Sequence, residues 1–226
     1  MNGILIAPSL LASNFSCLGT EVLRMEKAGA DWLHLDVMDG RFVPNITFGP
    51  PVIAALRRHS KLFFDVHLMI DRPQRYLNEF LRAGADMITM HVEAMDPGEI
   101  GPAIETIHKA KKQAALSVKP NTPIEMITPW LGQLDMALIM TVEPGFGGQT
   151  FMASVLGKLN TLGAELARRA LDNMIVQVDG GISAATIAAA RQAGANCFVA
   201  GNAIFRAEDP AQAIAALRRE SLMSNI

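Results

Sequence analysis

Cysteine, tyrosine and tryptophan are scarce in this 226-residue chain, at 2, 1 and 2 copies, although half of its residues are hydrophobic. Cys17 and Cys197 lie near opposite ends and cannot build a disulfide scaffold, so a reducing, cytoplasmic setting is expected. Charge of one sign is missing too: 22 acidic and 20 basic residues give a net charge of −2. That balance offers no basic field for nucleic acid or an anionic membrane. Long apolar runs are absent. The longest uncharged stretch, Met1–Thr20, contains Pro8, Ser9, Ser13, Asn14 and Ser16, and the first basic residue is Arg24. It reads as neither a membrane span nor a secretory signal. No linker or low-complexity segment divides residues 1–226, which are read as one domain.

What is present is alternation. Short apolar runs predict strands at Ile4–Pro8, Trp32–Val37, Leu62–Met69, Met87–His91, Ala114–Val118, Met136–Met140, Ile175–Val178 and Cys197–Ala200. Helical patterns fall between and after them, at Leu18–Ala28, Pro51–Arg58, Gln74–Arg82, Pro102–Lys111, a short stretch near Pro123–Thr128, Phe151–Arg168, Ala184–Gln192 and Pro210–Ser221. Eight strands alternating with eight helices imply a parallel sheet of the α/β class. The phrase Ala-Gly-Ala followed by Asp or Asn starts at Ala28, Ala83 and Ala193, with Gly where a left-handed helix cap belongs. The second interval is twice the first, so each strand–helix unit takes roughly 27 residues and eight units take roughly 220. That fills the chain. A closed (β/α)8 TIM barrel is favoured over an open doubly wound sheet, whose Gly-x-Gly-x-x-Gly fingerprint is missing after the first strand.

Residues two apart on a strand share a face. Trp32, His34 and Asp36 therefore lie on one face, as do Asp65, His67 and Met69, and Ile175, Gln177 and Asp179. His34, Asp36, His67 and Asp179 fall toward the C-terminal ends of their strands, where barrel active sites form. Taken singly, each histidine could be a hydrogen-bonded core residue and each aspartate a cap. As a set they make a divalent-metal site, because imidazole with carboxylate suits zinc, iron, manganese or cobalt better than calcium. His91 also ends a strand and could join the set, but is read as a residue behind it or as a structural one. His59 and His108 fall on helices and are expected in solvent.

Glycine follows the last three strands, in Pro144-Gly-Phe-Gly-Gly-Gln149, Asp179-Gly-Gly181 and Gly201-Asn202. Backbone without Cβ atoms can turn several N–H groups toward an anion, and the loops after strands seven and eight form the usual phosphate cradle of such barrels. A phosphorylated substrate is expected. Met38, Met69 and Met140 end strands around the same mouth and offer an apolar lining that excludes water.

At these residues the chain resembles the ribulose-phosphate 3-epimerase family. The matching phrases, in family order over nearly the whole length, are Ile6-Ala-Pro-Ser-Leu-Leu-Ala-Ser13, Leu33-His-Leu-Asp-Val-Met-Asp-Gly-Arg-Phe-Val-Pro-Asn45, Phe64-Asp-Val-His-Leu-Met69, Met140-Thr-Val-Glu-Pro-Gly-Phe-Gly-Gly-Gln149, Val178-Asp-Gly-Gly-Ile182 and Val199-Ala-Gly-Asn-Ala-Ile-Phe205. The resemblance implies an isomerase of the pentose phosphate pathway that interconverts D-ribulose 5-phosphate and D-xylulose 5-phosphate. It implies that His34, Asp36, His67 and Asp179 hold one divalent metal, commonly zinc, and that Asp36 and Asp179 are the acid/base pair. Ser9, His67, Met38, Met69 and Met140 would face the substrate. Gly145, Phe146, Gly147, Gly148, Gly180, Gly181, Gly201 and Asn202 would surround its phosphate. The family usually carries Ser where this chain has Asn202; the backbone contact survives that change and an amide replaces the hydroxyl. A small phosphorylated ketose is the expected partner, and a homo-oligomer the expected assembly.

Three other readings stand beside it. One is a 3-epimerase of D-allulose 6-phosphate, with the same machinery and a longer sugar. Another is a barrel decarboxylase, although Met38 occupies the lysine position of the Asp-x-Lys-x-x-Asp pattern. The third is a phosphate-binding sensor barrel without catalysis, against which the retention of both histidines and both carboxylates argues.

Overall fold

The computed structural model describes residues 3–223. Eight parallel strands form one sheet: β1 (Leu5–Pro8), β2 (Trp32–Met38), β3 (Phe63–Met69), β4 (Met87–His91), β5 (Gln113–Val118), β6 (Met136–Met140), β7 (Ile175–Asp179) and β8 (Cys197–Ala200). Each strand from β3 to β7 pairs with both of its sequence neighbours, β2 with β3, and β8 with β7 and β1. A parallel bridge from Ser9 to His34, with the Asp31 N–H donating to the Ile6 carbonyl, brings β1 to β2 and closes the ring. The expected TIM barrel is what forms.

The period-two pattern sorts the strand residues. Outward side chains such as Leu33, Leu35, Val66, Leu68, Ile88 and Leu116 belong to the same buried cluster as Val22, Ile53, Leu56, Ile104 and Leu162 of the helices. Each such side chain contributes about 1.5–3 kcal/mol by leaving water. Inward side chains Ala7, Trp32, Met87, Ala115, Met136, Leu138 and Cys197 fill the barrel, and Trp32 stacks on Phe63 with ring centroids 4.5 Å apart.

The repeated phrase has a second job besides ending helices. Its glycines do take positive φ, at Gly29, Gly84 and Gly194. The following Asp31, Asp86 and Asn196, joined by Asp135, each stand just before an even-numbered strand. Each accepts, through its side chain, the N–H of the second residue of the preceding odd strand: Ile6 (2.7 Å), Phe64 (3.0 Å), Ala114 (2.8 Å) and Val176 (2.9 Å). The same four residues donate their own N–H groups to the carbonyls of those partners. Four equivalent clamps therefore ring the N-terminal rim. Asp86 also pairs with Arg57 (2.9 Å) and Lys112 (2.7 Å). Asp86→Ala would leave the Phe64 N–H and both cations without that acceptor, and is expected to lower the unfolding free energy by about 1–3 kcal/mol in a urea titration.

The helices are α1 (Leu18–Lys27), α2 (Pro50–Arg57), α3 (Leu77–Ala83), α4 (Pro97–Lys109), α5 (Leu156–Arg168), α6 (Ile187–Gln192), α7 (Asn202–Phe205) and α8 (Pro210–Ser221). Helices α3, α5 and α6 start later than expected, at Leu77, Leu156 and Ile187, and three other stretches differ more. The stretch near Pro123–Thr128 forms 3-10 turns, Ile124–Met126 and Thr128–Gln133; Pro129 has no N–H with which to continue an α ladder back to Glu125. Helix α4 starts at Pro97, well suited to a first helical position, and carries Pro102 inside it. The short α7 after β8 carries too few residues for a readable period. Among the described residues no helix is long and apolar enough to cross a membrane.

Candidate active site and metal centre

The register of β2 against β3 sets the centre. It pairs His34 with Asp65 and Asp36 with His67, so the inward faces of two adjacent strands alternate imidazole and carboxylate. Asp179 arrives from the end of β7, across β8 and β1. His34 and His67 are fully buried and Asp36 nearly so; the Asp179 side chain is 16% exposed. His34 Nε2 and His67 Nδ1 face each other at 3.2 Å. Asp36 Oδ1 lies 3.4 Å and 3.6 Å from these nitrogens, and Asp179 Oδ2 lies 3.7 Å from both.

The outer contacts decide what these four atoms present. His34 Nδ1 is 2.8 Å from Asp65 Oδ2, a carboxylate that also accepts from Gln177 Nε2 (2.7 Å) and Thr89 Oγ1 (3.2 Å). A carboxylate only accepts, so Nδ1 carries the proton of the neutral ring, and Nε2 is the nitrogen that offers a lone pair inward once its own proton is displaced. Two carboxylates and two imidazoles then converge in a buried space, an arrangement that calls for a positive charge, whether a proton on His34 or a cation. Tetrahedral zinc with ligands at about 2.0–2.2 Å would set them roughly 3.3–3.6 Å apart. The donor set fits a divalent cation, and these four residues could hold one.

Electrostatics agree. Burial alone would lower His34, but Asp36 and Asp65 outweigh it and hold the imidazole well above its usual range. Burial alone would raise Asp36, yet His34, with His67 beside it, pulls it far below the usual carboxylate range. Burial, and then the charge of Asp36, pushes Asp179 up to about 7. A cation must therefore displace protons from His34 and Asp179. Its affinity is expected to fall at least about 10-fold between pH 8 and pH 6, read by competition with a chelator. For the metal-free fold the sign reverses: Asp179, raised from 3.8 to about 7, favours the folded state at low pH, and this contribution is lost as pH rises through 7.

Above the cluster opens a cavity of about 430 Å³. Ser9 lies at its edge and donates to Asp36 Oδ2 at 2.5 Å. Met38, Met69 and Met140, all nearly inaccessible, line its wall. Gly145, Phe146, Gly147 and Gly148 of the β6 loop, Gly180 and Gly181 after β7, and Gly201 with Asn202 after β8 line the other side. Of the residues assigned to the mouth from the sequence, all but His34 and His67 line this space; those two are fully buried and do not line it, so, against expectation, His67 does not face the cavity. Gly181 has φ +66°, and an added Cβ there would sit 2.5 Å from the Phe151 nitrogen. Among the described residues the N–H groups of Gly148, Gly181 and Asn202 donate to no protein acceptor. Asn45 Nδ2 ties the β6 loop through the Gly145 carbonyl at 3.0 Å. Sequence reasoning gave no role to Asp65, Gln177, Glu93 or Asn45; for Asp65 the signal was its place on the face of His67.

The family model described as the ribulose-phosphate 3 epimerase family matches residues 5–205. The chain belongs to the ribulose-phosphate 3-epimerase family. It is 47% identical to the ribulose-phosphate 3-epimerase of Schizosaccharomyces pombe over 216 residues, 94% of this chain and 92% of that protein. It is 45% identical to the enzyme of that name from Synechocystis, over 95% and 93% of the two chains. Family membership at this identity and coverage makes the chain an enzyme of the isomerase class. A solved 3-keto-L-gulonate-6-phosphate decarboxylase from Vibrio cholerae shares the fold, with a TM-score of 0.71 at 20% identity over 97% of each chain.

Proposed function

We propose that the chain interconverts D-ribulose 5-phosphate and D-xylulose 5-phosphate by inverting C3. The observation that carries this reading is the pair Asp36 and Asp179, two carboxylates facing one cavity whose proton affinities are pushed in opposite directions. Asp36, ionised at neutral pH and held by the Ser9 hydroxyl, removes the C3 proton of ribulose 5-phosphate. Asp179, able to carry a proton near neutrality, returns one to the other face. The roles exchange in the reverse direction. A divalent cation at the four-residue cluster, zinc or else iron, manganese or cobalt, supplies Lewis-acid stabilisation of the negative charge that develops on the sugar oxygens. Met38, Met69 and Met140 keep water from the enediolate.

The phosphate is assigned to the glycine loops, where Gly148, Gly181 and Asn202, whose N–H groups have no protein acceptor among the described residues, line the cavity. Binding energy from this remote group holds C3 between the two carboxylates. An unphosphorylated ketopentose is expected to lose on the order of 10³-fold in kcat/KM; equal values with and without phosphate would sink the assignment. The sugar itself is tested by turnover of ribulose 5-phosphate against allulose 6-phosphate. A higher kcat/KM for the six-carbon sugar would overturn the reading, and no turnover of either would favour the sensor barrel. Within this proposal the enzyme acts in the cytoplasm as a homo-oligomer, for which Ile46 and Tyr76 offer exposed apolar surface.

A further inference from the structure

His91 ends β4 and is fully buried, and its Nε2 stands 2.9 Å from His67 Nε2, on the far side of that ring from the four-atom cluster. Its Nδ1 lies 3.1 Å from Glu93 Oε2. Only one proton fits between two ring nitrogens at 2.9 Å, so one is the donor and the other the acceptor. Glu93 settles which. Its carboxylate can only accept, which puts the proton of a neutral His91 on Nδ1 and leaves Nε2 as a lone pair. His67 must then donate from Nε2, and its own lone pair is left on Nδ1, the atom that faces His34, Asp36 and Asp179.

The parts of this chain are themselves held. Glu93 Oε1 accepts the Lys119 N–H at 2.7 Å, which aims the other oxygen at His91. Lys158 donates from Nζ to the carbonyls of Lys119, Pro120 and Thr122 at 2.9, 3.0 and 2.6 Å, fixing the turn that presents this N–H. The Phe42 ring lies 4.8 Å from the His91 ring, tilted by 46°, and blocks rotation of the imidazole.

We propose that Glu93 and His91 are positioning residues that fix the tautomer and plane of His67 through two hydrogen bonds, so that its Nδ1 is free to bind a cation. This rests on the metal reading above and adds a function for residues outside the four-residue cluster. It makes the two histidines supported by unlike means: His34 leans on Asp65 directly, His67 on Glu93 through a second imidazole. Outer partners of this kind are worth about 10–100-fold in metal affinity.

The test starts with the wild-type protein freed of metal and labelled with nitrogen-15 at histidine. Long-range proton–nitrogen spectra are expected to show His67 protonated at Nε2; protonation at Nδ1 would overturn the proposal without any mutation. Then cobalt(II) is titrated into the wild type, His91→Phe, which keeps a ring against Phe42, and Glu93→Ala. Both variants are expected to bind about 10–100-fold more weakly by chelator competition, and to show a changed visible cobalt spectrum under an unchanged far-ultraviolet dichroism. Wild-type affinity and spectrum in both would overturn the relay alone. A wild type that binds neither cobalt nor zinc would instead remove the metal reading on which it rests.

Discussion

Asparagine in place of Asp36 is expected to lower turnover of ribulose 5-phosphate by about 10²–10⁴-fold, the usual contribution of a positioned general base. The shape of the side chain is kept, and the amide can still accept from Ser9, whose hydroxyl lies 2.5 Å from Asp36 Oδ2. What disappears is the ionised group that the neighbouring histidines hold ready. The face-specific readout is exchange of the C3 proton with deuterium from solvent. Asp36→Asn should stop exchange from ribulose 5-phosphate. Asp179→Asn should block epimerisation to a similar degree and leave some exchange, because the Asp36 side is intact. A single base would pick up and return the proton on one side and could not invert a sugar held still. Both variants are measured with metal content matched to wild type. Normal epimerisation by either would show that its carboxylate is not an essential acid or base.

His67→Ala carries the second large effect. The substitution removes one of four acceptors and leaves His34, Asp36 and Asp179 to hold a cation with three. Metal affinity is expected to drop by more than the 10–100-fold typical of a supporting residue, and activity at limiting metal to fall with it. The barrel should stay folded, since the strand pairs of β3 are made by backbone and its outward residues Val66 and Leu68 are untouched. Full metal content and full turnover in this variant would take His67 out of the centre.

The strands were legible because a parallel barrel strand writes two signals at once, an apolar outward face and a bounded length. His34, Asp36, His67 and Asp179 could be picked out because they break the inward face with groups that are expensive to bury. The helix ends were harder to read. Prolines at 97, 102, 123 and 129 are each compatible with a start, an interior turn or a stop, and only packing decides among them. The link from Glu93 to His67 was hidden for another reason. It joins side chains of β3 and β4 with the turn after β5, and no period within one strand encodes a contact between strands. The Ala-Gly-Ala phrase was visible as a helix ending, but its aspartate and asparagine show their purpose only when the neighbouring strand is beside them.

Those four clamps have a consequence for how the chain can be cut and rejoined. Each ties an even strand to the odd strand before it, through Asp31, Asp86, Asp135 and Asn196, and none of these four bonds joins β2 to β3, β4 to β5 or β6 to β7, although Asp86 also reaches Lys112 just before β5. At its N-terminal rim the barrel is thus grouped into four two-strand modules, each carrying a side-chain clamp in addition to backbone pairing, while the side-chain bonds between β2 and β3 lie further up, at the metal centre. Termini moved to the turn between α2 and β3 would leave all four modules whole and stand at the end of the barrel away from the chemistry. Termini moved between α1 and β2 would split one.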